Sequence, residues 1–131
     1  MRSILVLLGL TMLTVCQSAS SSAPRSVSAG SLTEEYQESS AAVRSKYDGK
    51  EITVRGYTLS AATMPRDGAD QGSVLLEEKG RDPGPHVTCW FSNEQAAKFS
   101  KIRGGQYITV KGVFNGEAGA ELRFCKLVKV E

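Results

Sequence analysis

The chain has 131 residues, 40% of them hydrophobic and 23% charged, which suits one soluble globular domain and is too apolar for full disorder. Sixteen Lys and Arg against 14 Asp and Glu leave a formal charge of +2, excluding a strongly basic nucleic-acid coater and a strongly acidic tail protein. One His and three Cys leave little material for a metal cluster or a histidine-based catalytic apparatus.

The N-terminus begins Met1-Arg2-Ser3 and continues with a 12-residue apolar run from Ile4 to Val15. That length suits a signal-peptide core and falls short of the roughly 20 residues a membrane-spanning helix needs. Residues 1–16 therefore read as a signal peptide. Leu13-Thr14-Val15-Cys16 resembles a bacterial lipoprotein box, in which Cys16 is lipidated and becomes the new N-terminus. Val15 departs from that pattern, which has a small residue before the Cys. The alternative is ordinary cleavage after Ser20, with Ser18 three residues before the cut. Both routes export the domain to the bacterial cell envelope, periplasmic or membrane-anchored, where disulfides persist. A lipidated Cys16 would tether it to a membrane.

Residues 17–31 hold seven Ser and three Ala and bury too little apolar surface to offset their ordering entropy, so they are expected to form a flexible tether. The folded domain is expected at 32–131. Ser31-Leu32-Thr33-Glu34 reads as a capping box with Ser31 as N-cap. Leu32, Tyr36, Val43 and Tyr47 follow at helical spacing and Asp48-Gly49 stops them, which predicts one helix over about 32–47. From Lys50 the pattern becomes strand-like. Lys50 to Ser60 alternates around Ile52, Val54, Tyr57 and Leu59, and Ser73 to Glu78 is a short second strand. His86 to Phe91 is a third, with Val87, Cys89 and Phe91 on one face. Ser92-Asn93-Glu94-Gln95 reads as a second capping box opening a short helix, and Gly104-Gly105 ends it. Residues 106–114 and 121–130 are two more strands, joined as a hairpin through Asn115-Gly116 and Gly119.

Two of these strands nearly repeat. Gly49-Lys50-Glu51-Ile52-Thr53-Val54-Arg55-Gly56 matches Gly105-Gln106-Tyr107-Ile108-Thr109-Val110-Lys111-Gly112. Both meet one demand: Ile and Val point into a core, Thr and the basic residue point out, and Gly permits a bulge or tight coil. Duplication is the rival explanation. The order of helix, three strands, short helix and two strands is the layout of a five-stranded OB-fold barrel, mainly β, with one N-terminal and one short helix.

These segments, together with Val87-Thr88-Cys89-Trp90-Phe91 and Leu122-Arg123-Phe124-Cys125-Lys126-Leu127-Val128, resemble the bacterial tRNA-anti-like OB-fold family, whose members are often small secreted proteins or lipoproteins. The likeness covers roughly residues 32–131 and rests on apolar and glycine positions, so it implies a fold rather than an activity. It places Cys89 on the third strand and Cys125 on the fifth, strands that meet to close such a barrel. It thereby implies a Cys89–Cys125 disulfide, worth roughly 3–4 kcal/mol on the chain-entropy model. Two buried free thiols, or a redox or metal role, are the alternatives.

No catalytic constellation is visible: Gly-x-Ser-x-Gly, a phosphate-binding loop and His-Glu-x-x-His are all absent. Adjacent Glu77 and Glu78 point to opposite faces of a strand. His86 and Cys89 could supply two metal ligands, fewer than a zinc site needs, and no metal or cofactor is expected. OB folds bind on the face of strands two and three and through neighbouring loops. There Trp90 is the one attractive platform, with His86 on its side and Arg66 and Arg81 in the flanking loops; packing under a helix or loop is the other role open to Trp90. Arg55, Lys79 and Lys111 could add charge. The second strand ends Glu77-Glu78, which disfavours nucleic acid. The expectation is a non-enzymatic envelope module for a partner protein, an oligosaccharide or a small ligand, with a single-stranded nucleic-acid binder as the alternative.

Overall fold

The computed structural model describes residues 25–66, 70–78 and 84–131. The expected signal peptide, Cys16, the tether as far as residue 24, and Arg81 lie outside the described residues. Strand β1 (Arg25–Ser28) leads into α1 (Ala29–Glu38) and α2 (Ser40–Tyr47). Then come β2 (Glu51–Thr58), β3 (Gln71–Glu77), β4 (Val87–Ser92), α3 (Asn93–Phe99), β5 (Tyr107–Asn115) and β6 (Glu121–Val130). The strands run in the order β1-β2-β3-β4-β6-β5, and β2 also pairs with β5. That last pairing closes β2, β3, β4, β6 and β5 into a five-stranded barrel of the expected OB kind.

The N-terminal region differs from the sequence expectation. Residues 25–31 are not a tether: Arg25 to Ser28 pair in parallel with Ile52 to Arg55 along β2. β3 reaches β2 only at Tyr57 and Thr58, so the edge of β2 before them is left for β1. The helix starts three residues early because Ser28, not Ser31, is its N-cap, accepting from the Ser31 backbone N–H. It also divides at Ser39, which leaves helical geometry and caps α2 by accepting from Ala42 N–H. A side chain that competes for backbone donors ends one helix and opens the next. The four apolar positions read from the spacing do face inward. Leu32, Val43 and Tyr47 are buried, and half-buried Tyr36 donates its hydroxyl to the Gly116 carbonyl at 2.8 Å.

The repeated segments turn out to be partners. Ile52 lies opposite Gly112, Val54 opposite Val110, and Gly56 opposite Ile108. The two copies thus meet antiparallel about the Val54–Val110 pair. Each copy sets its Ile against the other's Gly on the inner face, where a second large side chain has no room. A Cβ on Gly56 would sit 2.8 Å from the Ala29 side chain, and one on Gly112 would sit 2.9 Å from both the Arg123 carbonyl and Cys125 Sγ. Gly49 and Gly105, which open the copies, share a left-handed backbone with φ of +75° and +78°. On β2 the inward positions after Val54 are Gly56 and Thr58, rather than Tyr57 and Leu59. The buried Thr58 hydroxyl donates to the Arg103 carbonyl and accepts from Gln106 N–H.

The helices close the barrel ends. α3 packs against β3, β4 and β6 through Phe99, its one buried residue, whose ring stacks on Phe91 at 4.2 Å. Its expected capping box is not formed. Ser92 is the N-cap but makes no side-chain cap bond, and Gln95 Oε1 is buried without a partner. At the other end α1 packs on β2, β3 and β4 and α2 on β5, with Tyr47 edge-on to Phe114 at 5.9 Å.

Candidate functional site

Along β4, Val87, Cys89 and Phe91 point into the core while Thr88 and Trp90 face outward, half-buried. Trp90 pairs across β3 with Ser73, and Thr88 with Leu75. On the other side β4 meets β6 in parallel at Thr88–Glu121 and Cys89–Leu122. Trp90 and Arg123 each lie one residue beyond that last pair, and Arg123 pairs in turn with Val113 of β5. Ser73, Trp90, Arg123 and Val113 therefore form an outward row across four neighbouring strands.

β6 is irregular beside this row. Between the pairs Lys111–Lys126 and Val113–Arg123, β5 advances two residues and β6 three. The surplus falls at Phe124, with φ of +55°. A left-handed backbone is strained for a bulky L-residue, and a bulge is the usual place for it. The bulge reverses the phase of the strand. Leu122 points in, Arg123 and Phe124 both point out, and Cys125 points in again. Phe124 is left 70% exposed.

Phe124 also lines a cleft of about 400 Å³ with Arg44, Asp48, Asn115, Glu117 and Arg123. One wall of the cleft is braced. Arg44 Nε donates to Asp48 Oδ2 at 2.9 Å, and Asp48 Oδ1 accepts from Gly116 N–H at 2.8 Å. The hydrogen bond from Arg44 holds the Asp48 carboxyl below the usual range, and Asp48 in turn raises Arg44. Lys111 pairs with Glu51 at 3.1 Å and Lys129 with Glu131 at 2.9 Å. Arg123 and Lys126 make no ion pair among the described residues. A larger cleft of about 460 Å³ between β1 and the helices is a weaker candidate, because Lys46 and Glu35 in its wall already face each other at 3.6 Å.

The structure thus brings two residues that sequence reasoning missed, Arg123 and Phe124, to the outer side of β6, with Arg123 next in register to Trp90. A signal for them was present: Leu122 and Phe124 are apolar at one parity, Cys125 and Leu127 at the other, and such a switch within one strand marks a bulge. His86 is exposed on the approach to β4 and Arg66 is exposed in the loop after β2. Among the described residues, no hydrogen bond or ion pair ties either to the site. His86 and Cys89 do not form a metal site, since Cys89 is buried inside the barrel and His86 is in solvent. No group of three potential ligands occurs among the described residues. Cys89 and Cys125 are both buried in the core as free thiols, near enough for Cys125 to act on Cys89. Burial first, and Cys125 second, push the Cys89 thiol well above its ordinary pKa.

No curated protein matches the chain. Among solved structures, a "putative nucleic acid-binding lipoprotein" from Klebsiella pneumoniae subsp. pneumoniae MGH 78578 superposes with a TM-score of 0.64. It shares 18% sequence identity, covering 79% of this chain and 92% of that one. OBody AM3L15, solved bound to hen egg-white lysozyme, gives a TM-score of 0.43 and 15% identity over 63% of this chain and 79% of its own. At these identities the first likeness shows a shared fold. The tRNA_anti-like family model matches residues 11–124, so the chain belongs to the tRNA_anti-like family.

Proposed function

We propose that this protein is a non-enzymatic binding module of the bacterial cell envelope that holds an extended oligosaccharide across the outer face of β4 and β6. One observation carries the reading: Trp90 on β4 and, next in register on β6, Arg123 followed by the strained, solvent-facing Phe124 all point outward. An exposed aromatic ring kept at a strained backbone position points to contact with a ligand. Flat apolar faces suit sugar rings, and the hydroxyls of Ser73 and Thr88 lie on the same side to bond their edges. A formal charge of only +2 suits a neutral ligand better than a polyanion. Envelope location is supported by the export signal and Cys16.

A second reading is favoured by Arg123 itself. Guanidinium and aromatic side chains on one outward face are also how single-stranded nucleic acid is held, which agrees with the name of the Klebsiella protein. Titration of the full chain separates the two through Trp90 fluorescence. A panel of neutral envelope oligosaccharides is expected to change the signal with little dependence on salt, and Phe124→Asn to weaken the effect. Response to single-stranded oligonucleotides alone, falling steeply with salt, would transfer the site to nucleic acid. Silence towards both classes would remove the site from this face.

A further inference from the structure

The barrel has one seam that differs from the rest. Four of the barrel's five junctions, β2–β3, β3–β4, β2–β5 and β5–β6, are antiparallel, but β4 and β6 meet in parallel over two registered pairs, with one further backbone bond from Thr88 N–H to the Ala120 carbonyl. Like the β2–β5 junction, that short seam is needed for the barrel to be closed. Cys89 belongs to it directly, as the partner of Leu122. Cys125 reaches it only because the bulge at Phe124 turns the strand over; in an unbroken strand the inward position after Leu122 would be 124, and Cys125 would face solvent. Gly112 clears the space behind Cys125, since a Cβ there would touch its sulfur at 2.9 Å. A strained bulge and a glycine together deliver one thiol to the other at the seam.

We infer that Cys89 and Cys125 are the site of an intramolecular disulfide that rivets β4 to β6 once the chain reaches an oxidising compartment. The bond forms by exchange with a protein or small-molecule disulfide. One thiolate attacks that disulfide and displaces half of it as a thiolate. The second Cys then displaces the other half, forming the Cys89–Cys125 bond. The two cysteines lose two electrons and two protons, and the oxidant becomes a dithiol. Both sulfurs are buried in the folded barrel, so exchange takes place before the core closes, and the finished bond is out of reach of reductants. Its closed loop contains α3 and β5, and constraining it raises the folded-to-unfolded ratio by about several hundredfold. The inference does not depend on which ligand the outer face holds.

Peptide mapping tests it. The full chain is reduced and unfolded, returned to native buffer with a glutathione redox couple, quenched with an alkylating agent under denaturing conditions, and digested. The expected product links the Cys89 peptide to the Cys125 peptide. That link should survive dithiothreitol in native buffer and break in denaturant. Alkylation of both cysteines, or linkage of either to Cys16, would overturn the inference. The same mapping on chain recovered from cell envelopes separates the bond from export. A link formed on refolding but missing from cells counts against the exported location and leaves the chemistry standing.

Discussion

Phe124 offers a test in which the sign of an effect, not its size, is decisive. At an ordinary strand position Gly is less stable than Ala by about 0.5–1 kcal/mol, because its unfolded chain has more freedom to lose. At φ of +55° the Cβ of Ala carries a left-handed penalty of roughly 1–2 kcal/mol that Gly avoids. The difference should therefore reverse. Phe124→Gly is expected to be more stable than Phe124→Ala by about 0.5–1 kcal/mol. Both variants lose the same ring, so whatever the partly exposed Phe packs against cancels between them. Urea unfolding followed by circular dichroism measures the gap, and a thermal scan should place the Gly variant about 2–8 °C higher. Equal stability, or Ala ahead of Gly, would refute the left-handed bulge and with it the inward turn of Cys125. Both variants should also bind the Trp90-face ligand more weakly than the parent, since the exposed ring is gone.

Two further outcomes follow from the same geometry. Gly112→Ala forces a Cβ against the Arg123 carbonyl and Cys125 Sγ, and overpacking of this kind should destabilise by about 1–3 kcal/mol in urea unfolding; an unchanged midpoint would show that β5 and β6 do not approach so closely. Asp48 has a folded pKa below its ordinary value, so its stabilising effect is full above the unfolded Asp value of about 3.9 and disappears as pH falls through the lower folded value. The melting temperature of Asp48→Ala should therefore lie below the parent's at neutral pH and converge with it in acid; a gap that persists at the lowest pH would place its origin outside the Arg44–Asp48 pair.

Much of the barrel was legible because its elements are local in cause. Alternation at Val87, Cys89 and Phe91, and at Ile108 and Val110, is a property of short stretches, and each stretch buries its apolar side wherever the sheet lies. Helical spacing from Leu32 to Tyr47 likewise identifies the buried side, although the helix is divided at Ser39. The meaning of the repeat was not local. Two copies of Ile-Thr-Val-basic-Gly state the same demand separately, and only their antiparallel pairing shows that each isoleucine lies opposite the other copy's glycine. The cap at Ser28 depends on tertiary structure for a related reason. A serine-rich stretch offers several possible caps of similar strength, and β1 selects among them by pairing with an edge of β2 that exists only once the barrel has formed.

The proposed binding face divides in the same way. Trp90 could be placed on an outer surface from its parity alone, one step from the buried Cys89. Its neighbours could not, because β4 and β6 are far apart in the chain and their parallel contact is created by closure of the barrel. Sequence by itself determined most of the side chains that seek the core, since this depends on hydrophobicity, but not the end of β2, where Gly56 and Thr58 rather than Tyr57 and Leu59 turn inward. Tertiary structure alone decided which surfaces became neighbours: pairing across the seam sets Arg123 next in register to Trp90, and the bulge that this pairing tolerates turns Phe124 into water and Cys125 towards Cys89.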